Sequence, residues 1–401
     1  MHVTLLNASD AGNALELSDL ISSNRYLIRN EKNRCGLIVK IDGVPSGTAG
    51  PVVQWMLDHG GSLLQTNPSG ISEQNGSVVL FGDKDLFFTL VTEFTQRSGS
   101  AAEIIRLLAI TLDFRYHNYP YTVKFRSATL NLAEKTHIMG ILNITPDSFY
   151  DGGKFILKDK AVARVLQMVE EGADIIDIGG ESSRPGAKPV HEKAEIARTI
   201  PVLEAIRERI AVPISIDTTK STVAKAALEA GADMINDISG MSSDPEMAGV
   251  AAAYGVPVVL MHMQGTPETM QHDPHYDRLI AEIRQGLEDR IQNALRAGIS
   301  KNNIIIDPGI GFGKRRPDNF KILRHLSDFR RLGYPILIGV SRKACIGWAL
   351  DLPEGDRLLG TVSAVVASIL RGAHIVRVHD VKEMAQAVRI ADLIKQPYCP
   401  A

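Results

Sequence analysis

Polar and charged residues stand directly after the short apolar runs that recur beyond residue 136, and these are the residues whose types could do chemistry. The set consists of Asn143, Ser183, Arg184, Asp217, Asn236, Asp307, Lys343, Arg377 and His379. A single Asp or Asn after a strand is most often the N-cap of the next helix. Helix caps do not require Lys, Arg and His at the other positions, so the whole set predicts a ligand site that carries both signs of charge.

The acidic and amide members of this set suit a flat, nitrogen-rich ring. Asp217 and Asp307 can each accept paired hydrogen bonds from a guanidine-like edge, the geometry that suits carboxylate to guanidinium. The carboxamide of Asn236 can donate and accept toward the same ring. These three residues predict that a nitrogen heterocycle binds here.

The cationic and hydroxyl members suit an anion. Arg184, Arg377, His379 and the hydroxyls of Ser182–Ser183 match a phosphate or diphosphate. Asn143 offers a neutral oxygen that could complete a Mg²⁺ shell otherwise built from water and phosphate, as is usual for Mg²⁺. The combined hypothesis is a heterocycle that carries a diphosphate, with Mg²⁺ as the cofactor.

An α/β pattern positions these residues. From Thr136 onward, an aliphatic run, a Gly-rich or polar break and an amphipathic stretch follow one another, which is typical of βα units and a parallel sheet. Eight strands are predicted, at His137–Leu142, Ile175–Ile178, Pro213–Ile216, Met234–Ile235, Pro257–Met261, Ile304–Ile306, Pro335–Gly339 and Ile375–Val378. Helical stretches between them include Lys160–Glu171, Lys193–Arg209, Ser221–Ala230, Arg278–Ala297, Asn319–Leu332 and Val381–Ile394. Their count and length match a (β/α)8 TIM barrel, whose chemistry lies at the C-terminal strand ends.

A doubly wound open sheet is the competing architecture. Its best support is GIGFG at Gly309–Gly313. This string lacks the GxGxxG spacing and the acidic residue about twenty positions further on that dinucleotide binding requires. The barrel is therefore the preferred prediction.

Residues 1–135 predict a separate small α/β domain of unknown role before the barrel of residues 136–401. GLIVKID at Gly36–Asp42 and SVVLFGD at Ser77–Asp83 read as strands. Helical patterns cover Ala49–His59, Lys84–Gln96 and Ala101–Leu112. The following stretch, with Pro120 in mixed patterning, is typical of a connection into the barrel.

Composition excludes several classes of protein. In 401 residues, 44 Lys and Arg oppose 46 Asp and Glu, and a net charge of −2 gives no general attraction to nucleic acid or an anionic membrane. No apolar run approaches the ~20 residues of a bilayer span, and no leader pattern opens the chain. Cys35, Cys345 and Cys399 form neither a CxxC pair nor an even framework, which favours a reducing, cytoplasmic compartment.

Eight segments, in order and throughout 136–401, resemble the dihydropteroate synthase family: GILNITPDSFYDGG, IDIGGESSRPGA, PISIDT, INDISG, LMHMQGTPETMQ, DPGIGFGK, GVSRK and RVHD. The resemblance implies a (β/α)8 barrel that joins p-aminobenzoate to 6-hydroxymethyl-7,8-dihydropterin diphosphate. Diphosphate is released with Mg²⁺ present, as a step of folate biosynthesis. The resemblance also implies a homodimer. More faintly, residues 1–135 resemble an extension found in some bacterial members.

The resemblance assigns roles to individual positions. Asp217, Asn236, Asp307 and Lys343 match the pterin-binding set, whereas Asn143, Arg377 and His379 match the diphosphate and Mg²⁺ set, with Asn143 as the metal ligand. Ser183 and Arg184 fall in the family's mobile second loop, and Met261 and Phe312 complete the substrate-binding residues. The catalytic set implied is Asp217, Asp307, Lys343, Arg377 and His379.

The chain departs from the family pattern at two of these motifs. Ser183 replaces the usual Thr and keeps its hydroxyl, while Ala344 stands where many members have a Ser that helps hold the benzoate carboxylate. A helix N-terminus at Ala344 would still offer backbone N–H groups to an anion.

The mechanism expected from the charges uses Mg²⁺, Arg377 and a cationic His379 to stabilise the departing diphosphate. Asp217 and Asp307 would stabilise the methylene-pterin cation that remains. The aniline nitrogen is neutral at pH 7 and nucleophilic, so no general base is assigned.

Two other functions compete with the synthase. A pterin-dependent methyltransferase shares this barrel and would keep the Asp and Asn positions, but it has no need of SRK plus RVHD. A non-catalytic pterin-binding protein is favoured by loss of Lys343, Arg377 or His379, and all three are present.

Overall fold

A computed structural model of the chain describes residues 2–6, 37–44, 48–66, 76–95, 101–116, 121–144, 154–184 and 186–395. The chain divides into two compact units, Met1–Asn118 and Tyr119–Ala401. The boundary predicted from sequence, near residue 135, lies further along the chain. Of the cysteines, Cys345 is a buried free thiol, and Cys35 and Cys399 fall outside the described residues. None of the described helices combines the length and the apolar character that a bilayer crossing needs.

The first unit contains an antiparallel four-stranded sheet in the order β1-β2-β4-β3. Its strands are β1 (His2–Leu6), β2 (Leu37–Val44), β3 (Ser62–Thr66) and β4 (Gly76–Gly82), and its helices are α1 (Gly50–Asp58), α2 (Lys84–Thr95) and α3 (Ala102–Tyr116). Alternate residues of β2 and β4 are buried, as Val39, Ile41 and Leu80 show. In α3, Ile104 and Leu108 recur at helical spacing toward the same core. The predicted strands and helices are thus present, and β1 and β3 are additional.

A short antiparallel hairpin, β5 (Thr122–Lys124) and β6 (Thr129–Asn131), opens the second unit. Val123, Phe125 and Leu132 of this segment are buried in one cluster with side chains of the barrel interior. The sequence pattern marks this segment as a connection, but it closes the N-terminal end of the barrel.

Eight parallel strands form the barrel in the order β12-β11-β10-β9-β8-β7-β14-β13. They are β7 (His137–Asn143), β8 (Ile175–Gly179), β9 (Ile214–Asp217), β10 (Met234–Asp237), β11 (Val258–Met261), β12 (Ile304–Asp307), β13 (Leu337–Ile338) and β14 (Ile375–Val378). A parallel bridge between Ile306 and Ile336 joins β12 to the residue before β13 and closes the ring. All eight predicted strands are confirmed, each within two residues at both ends.

Nine α-helices of the described chain surround this sheet: α4 (Lys154–Glu170), α5 (Glu192–Arg207), α6 (Ser221–Glu229), α7 (Met247–Tyr254), α8 (Leu279–Arg296), α9 (Arg316–Arg324), α10 (Ala344–Leu350), α11 (Leu358–Leu370) and α12 (Val381–Lys395). The predicted helix Asn319–Leu332 is wrong as one element, since α9 ends at Arg324 and a 3₁₀ segment follows at Leu326–Leu332. The pattern does not single out α7, α10 and α11, because α7 and α11 consist mostly of small and apolar residues and α10 has only seven residues.

Strand alternation divides the barrel interior into two layers. Near the N-terminal strand ends, Met139, Ile175, Met234, Val259, Ile305, Leu337 and Ile375 form an apolar layer over the hairpin. Two residues further along each strand the side chain points the same way, and these positions hold Ile141, Asp177, Asn236, Met261, Asp307, Gly339 and Arg377. The C-terminal layer is therefore mostly polar. We refer to this end, with its loops, as the barrel mouth.

Candidate active site

Arg377 on β14 lies between two carboxylates in the polar layer. Its Nε donates to Oδ2 of Asp177 at 2.6 Å, and its Nη2 donates to Oδ2 of Asp217 at 2.6 Å. Asn236 donates from Nδ2 to the same oxygen of Asp177 at 3.1 Å. Three of the predicted site residues are thereby brought into one hydrogen-bonded network.

Asp177 is a member of this network that sequence reasoning did not identify. It interrupts the apolar strand IIDIG at an inward position, and its side chain is fully buried. A carboxylate in the middle of a buried strand needs a hydrogen-bonding or charged partner. An Asp within an apolar strand is therefore the sequence feature that could have identified this residue. The pairing with Arg377 supplies the partner.

The charge state of Asp217 is set by opposing effects. Burial raises the pKa of this carboxyl to about 7, because the attraction of Arg377 is offset by the neighbouring carboxylates of Asp177 and Glu195. The group therefore titrates near neutral pH, and its carboxylate form is the one that can accept two hydrogen bonds.

Asp307, Lys343, Phe312 and Met261 form the opposite side of the mouth. Asp307 accepts a hydrogen bond from the backbone N–H of Gly309 at 2.7 Å, and burial raises its pKa to about 6. The ammonium of Lys343 lies 4.1 Å from the ring centroid of Phe312, within the range of a cation–π contact. Phe312 and Met261 belong to one buried apolar cluster.

Lys343 has an unusual environment for a lysine. Burial, together with the charge of the nearby Arg377 and against the opposing effect of Asp307, lowers its pKa to about 8. The preceding residue, Arg342, adopts a left-handed backbone conformation with φ 56°. Its guanidinium holds the carboxylate of Asp380, with Nε to Oδ2 at 3.0 Å. This pairing stabilises the turn that brings Lys343 to the mouth, at the N-cap of α10.

Lys314 is buried beneath the mouth and supports Phe312. Its ammonium donates to the backbone oxygens of His262 and Phe312, both at 2.9 Å, and lies 3.0 Å from Nδ1 of His262. Burial lowers the pKa of Lys314 well below that of a free lysine. The residue therefore fixes the loop after β12 rather than facing a ligand.

His379 differs from the sequence expectation in its charge. Burial, together with the positive charges of Arg377 and Arg342, lowers the pKa of the imidazole to about 3. Its Nδ1 lies 2.9 Å from Oγ of Ser341. The expectation of a cationic His379 is wrong for this structure, because the ring is neutral at pH 7 and can act only as a neutral hydrogen-bonding group.

Asn143 ends β7 beside Asp217. A Cβ placed on Gly179 would lie 3.6 Å from Oδ1 of Asn143 and 3.8 Å from Oδ2 of Asp217, so both oxygens face the space over this glycine. Within the described ranges, no group of three or more His, Cys, Asp or Glu side chains could hold a metal. The donor set fits a Mg²⁺ that takes one protein oxygen and completes its shell with phosphate and water.

The loop after β8, residues 180–191, carries Ser183 and Arg184 and is called the second loop here. Arg184 is 68% exposed and donates from Nη2 to Oε1 of Glu354 at 2.7 Å. Further along, the N–H of Gly186 donates to the backbone oxygen of Pro267 at 3.2 Å. The loop thus crosses the mouth, but the structure does not bring Arg184 into contact with Arg377.

A cavity of about 260 Å³ lies under the second loop. Among its lining residues are Ser183, Asp217, Lys220, Glu195 and Thr266. Of the predicted site residues, Ser183 and Asp217 line this cavity, whereas Lys343 does not. The cavity is therefore one flank of the mouth.

Comparison with known proteins identifies the family to which this barrel and its site belong. The model of the family described as pterin binding enzyme matches residues 139–379, which is more than half of the chain. The dihydropteroate synthase of Synechocystis sp. is 47% identical over 277 residues, covering 69% of this chain and 96% of that protein. The corresponding protein of Clostridium beijerinckii is 49% identical over 273 residues, covering 68% and 99%.

Solved structures agree with these relatives. Dihydropteroate synthase of Xanthomonas albilineans with 4-aminobenzoic acid has a TM-score of 0.66 and 42% identity over 70% of this chain and all of that one. The same enzyme in complex with 7,8-dihydropteroate has a TM-score of 0.63 and 39% identity, covering 69% and 100%.

Fold and site thus define a barrel of the pterin-binding class, as the sequence motifs predict. The chain belongs to the dihydropteroate synthases, transferases of folate biosynthesis. It is longer than these relatives, which agrees with the predicted N-terminal extension. The methyltransferase and non-catalytic alternatives are not supported by these relatives.

Proposed function

We propose that the barrel mouth joins p-aminobenzoate to 6-hydroxymethyl-7,8-dihydropterin diphosphate and releases diphosphate. The observation that carries this proposal is the Arg377 network. It sets a cation for the diphosphate directly beside Asp217, a carboxylate for the heterocycle. Relatives with solved structures bind 4-aminobenzoic acid and dihydropteroate, which supports the same substrates here.

The heterocycle would be held by Asp217, Asn236, Asp307 and Lys343. The two carboxylates accept hydrogen bonds from its amino and ring N–H groups, and Lys343 donates to its oxygen. Met261 and Phe312 supply an apolar wall beside it. Burial of these polar groups favours a ligand that satisfies them, because unsatisfied buried polar groups are costly.

The diphosphate would be held by Arg377 with the neutral imidazole of His379, and by Ser183 and Arg184 of the second loop. Asn143 would hold Mg²⁺ through its amide oxygen, and the metal, when bound, neutralises charge on the phosphate oxygens. Arg377 can bind the diphosphate and also hold the carboxylate that binds the heterocycle, because its guanidinium already contacts Asp217. His379 would donate one hydrogen bond to a phosphate oxygen.

The reaction exchanges one bond for another at the methylene carbon of the pterin. The carbon–oxygen bond to diphosphate breaks with its electron pair on oxygen, and the amine nitrogen forms a carbon–nitrogen bond and loses one proton to solvent. Asp217 and Asp307 stabilise positive charge on the pterin as the bond breaks. Backbone N–H groups at the start of α10, beside Ala344, would face the benzoate carboxylate.

We also propose that the protein acts as a homodimer. Four side chains on the outer surfaces of α11 and α12 are strongly exposed: Leu359 at 78%, Ile390 at 58%, Leu393 at 63% and Ile394 at 63%. Ile390, Leu393 and Ile394 share one face of α12 by their helical spacing, and α12 packs beside α11. Exposed apolar side chains grouped in this way are typical of an association site.

We also propose that the protein is cytoplasmic, because Cys345 is a free thiol and free thiols are typical of a reducing compartment. Fractionation of the source cells with activity as the marker tests it, and activity confined to a membrane or secreted fraction would contradict it.

The synthase activity is tested with purified protein, dihydropterin diphosphate, p-aminobenzoate and Mg²⁺, with product measured by chromatography. Dihydropteroate and diphosphate should appear in equal amounts. Chelation of Mg²⁺ with EDTA should stop the reaction and added Mg²⁺ should restore it. No product at high enzyme concentration would refute the proposal, and full activity in EDTA would refute the metal assignment alone.

A further inference from the structure

Lys220 connects three elements around the second loop. It lies three residues after Asp217 and forms the N-cap of α6. Its ammonium donates to Oε2 of Glu195 on α5 at 2.7 Å and also to Oε2 of Glu181, which begins the second loop. One side chain therefore joins the end of β9, the start of the loop and the helix that follows the loop.

Glu195 makes this connection rigid. Its side chain is fully buried, and its second oxygen, Oε1, has no hydrogen-bond partner among the described residues. Glu195 also lines the cavity under the loop. A buried carboxylate requires a cation, and breaking such a pair by removing one partner is strongly destabilising. Lys220 is held in place by that requirement.

The start of the loop is also packed against α5. A Cβ on Gly180 would lie 2.7 Å from Cγ2 of Thr199 and 2.9 Å from Cγ of Glu195, so helix and loop are in direct contact there. Arg198 donates from Nη1 to the backbone oxygen of Gly180 at 3.0 Å. After Gly180, Glu181 is the next side chain, and its partner is Lys220.

The ammonium keeps its charge throughout the neutral range. Burial opposes the charged form, but the hydrogen bonds that the ammonium donates to Glu181 and Glu195 outweigh burial and raise the pKa of Lys220.

We propose that Lys220 is a positioning residue that holds the second loop through Glu181 and so places Ser183 and Arg184 over the diphosphate end of the substrate. This inference rests on the proposed function. Ser183 follows Glu181 by two residues and borders the same cavity as Asp217 and Lys220. The pairing thus sets the distance between the residue that binds the heterocycle and the loop that covers the diphosphate.

The test distinguishes binding of the diphosphate end of the substrate from binding of its pterin end. Glu181→Gln removes the charge on the loop side while the Lys220–Glu195 pair remains, and Glu181 is 25% exposed, so the variant leaves no buried charge without a partner. Lys220→Met breaks both pairs, and Lys220→Arg keeps the charge. Glu204→Gln, an exposed position on α5, is the matched control.

Two constants are measured for each variant: KM for dihydropterin diphosphate and Kd for 6-hydroxymethylpterin, which lacks the diphosphate. In Glu181→Gln, KM should rise on the order of tenfold, as expected when a contact loop is displaced, while Kd for the bare pterin stays within about twofold of wild type. Lys220→Met should show at least the same rise, and Lys220→Arg should recover part of it.

Two outcomes overturn the inference. In the first, KM and Kd of Glu181→Gln equal those of wild type and Glu204→Gln. In the second, Kd for the bare pterin rises as much as KM, which would show that the substitution weakens binding of the heterocycle and not of the diphosphate. If Lys220→Met does not fold, Glu181→Gln decides alone. Failure of the synthase proposal is distinguished by wild-type protein, which would then form no product at all.

Discussion

Arg377 and Asp217 are joined by a hydrogen bond of 2.6 Å that crosses the barrel interior. Their strands, β14 and β9, are not neighbours, because β7 and β8 stand between them in the sheet. The same guanidinium binds Asp177 on β8. A cation assigned to the diphosphate and a carboxylate assigned to the pterin thus form one unit, and a change at either end affects both.

Replacing Asp217 by Asn should abolish turnover without unfolding the protein. The amide cannot offer two acceptor oxygens to the heterocycle and cannot neutralise Arg377. We expect kcat/KM to fall by about 10³ or more, equivalent to at least ~4 kcal/mol of transition-state stabilisation. Steady-state kinetics and circular dichroism measure the two effects. Asp277→Asn, at a loop side chain that is 89% exposed, is the control and should behave as wild type.

The activity should depend on pH through Asp217 and Lys343. The pKa of Asp217 is about 7 and the carboxylate is the binding form, so kcat/KM should decrease as the pH falls below about 7. The pKa of Lys343 is about 8 and the ammonium is the binding form, so kcat/KM should also decrease above about 8. Burial is the first cause of both shifts.

Lys343→Arg tests the assignment of the alkaline limb. Arginine stays charged to well above pH 10, so this variant should lose the decrease above about 8 even if its maximum is lower. An unchanged alkaline limb in Lys343→Arg would assign that limb to another group.

The strands and the mouth residues were predictable because parallel strands impose a simple rule. Each apolar run ends at the barrel mouth, so Asp217, Asn236 and Asp307 could be placed together from their positions at the ends of the runs. Asp177 is the third residue of β8, as Arg377 is of β14, and the sequence motif RVHD drew attention only to Arg377. Successive side chains of a strand point alternately into the barrel and away from it. Which of them point inward is known only when the register of neighbouring strands is known.

Charge states and loop contacts were not predictable from the sequence. The neutral His379 results from burial beside Arg377 and Arg342, and neither burial nor these distances can be read from RVHD. The partner of Arg184, Glu354, lies 170 residues further along the chain. Local patterns also miss the hairpin that closes the barrel, because strands of three residues carry too little periodicity.

Lys314→Met should loosen the loop that carries Phe312. The ammonium donates to the backbone oxygens of His262 and Phe312, and methionine would leave both acceptors without this donor. We expect a loss of about 1–3 kcal/mol in the free energy of unfolding and a weaker affinity for 6-hydroxymethylpterin. Urea denaturation and titration calorimetry measure these effects. Lys225→Met, exposed on α6, is the control, and equal stability of both variants would contradict the assigned role.

A charged residue on the outer face of α12 should separate the proposed dimer. Leu393 is 63% exposed and lies beside Ile394 and Ile390 on the same helix. If this surface is buried between two copies, Leu393→Glu introduces a carboxylate that cannot be desolvated cheaply. Light scattering after size-exclusion chromatography should report the monomer mass for this variant and twice that mass for wild type. Lys382→Glu, at an exposed polar position of α12, should leave the mass unchanged.

The position of the domain boundary can be tested with two deletions. Removal of residues 1–118 leaves the hairpin in place and should give a folded, active barrel, because every proposed site residue lies in the second unit. Removal of residues 1–135 also takes away Val123, Phe125 and Leu132, which cover the apolar layer of the barrel. At about 1.5–3 kcal/mol for each buried side chain, the loss of the three is comparable to the net stability of a whole domain.

The two deletions also differ in polar contacts. Residues 119–135 include Arg126, which donates to the backbone oxygen of Leu228 at 2.9 Å, and Ser127, whose N–H donates to Oδ1 of the buried Asp233 at 3.1 Å. The shorter deletion should therefore match the kcat and melting temperature of the full-length barrel, and the longer one should be insoluble or unfolded at the same temperature. Equal melting temperatures for the two truncated proteins would show that the hairpin does not contribute to barrel stability.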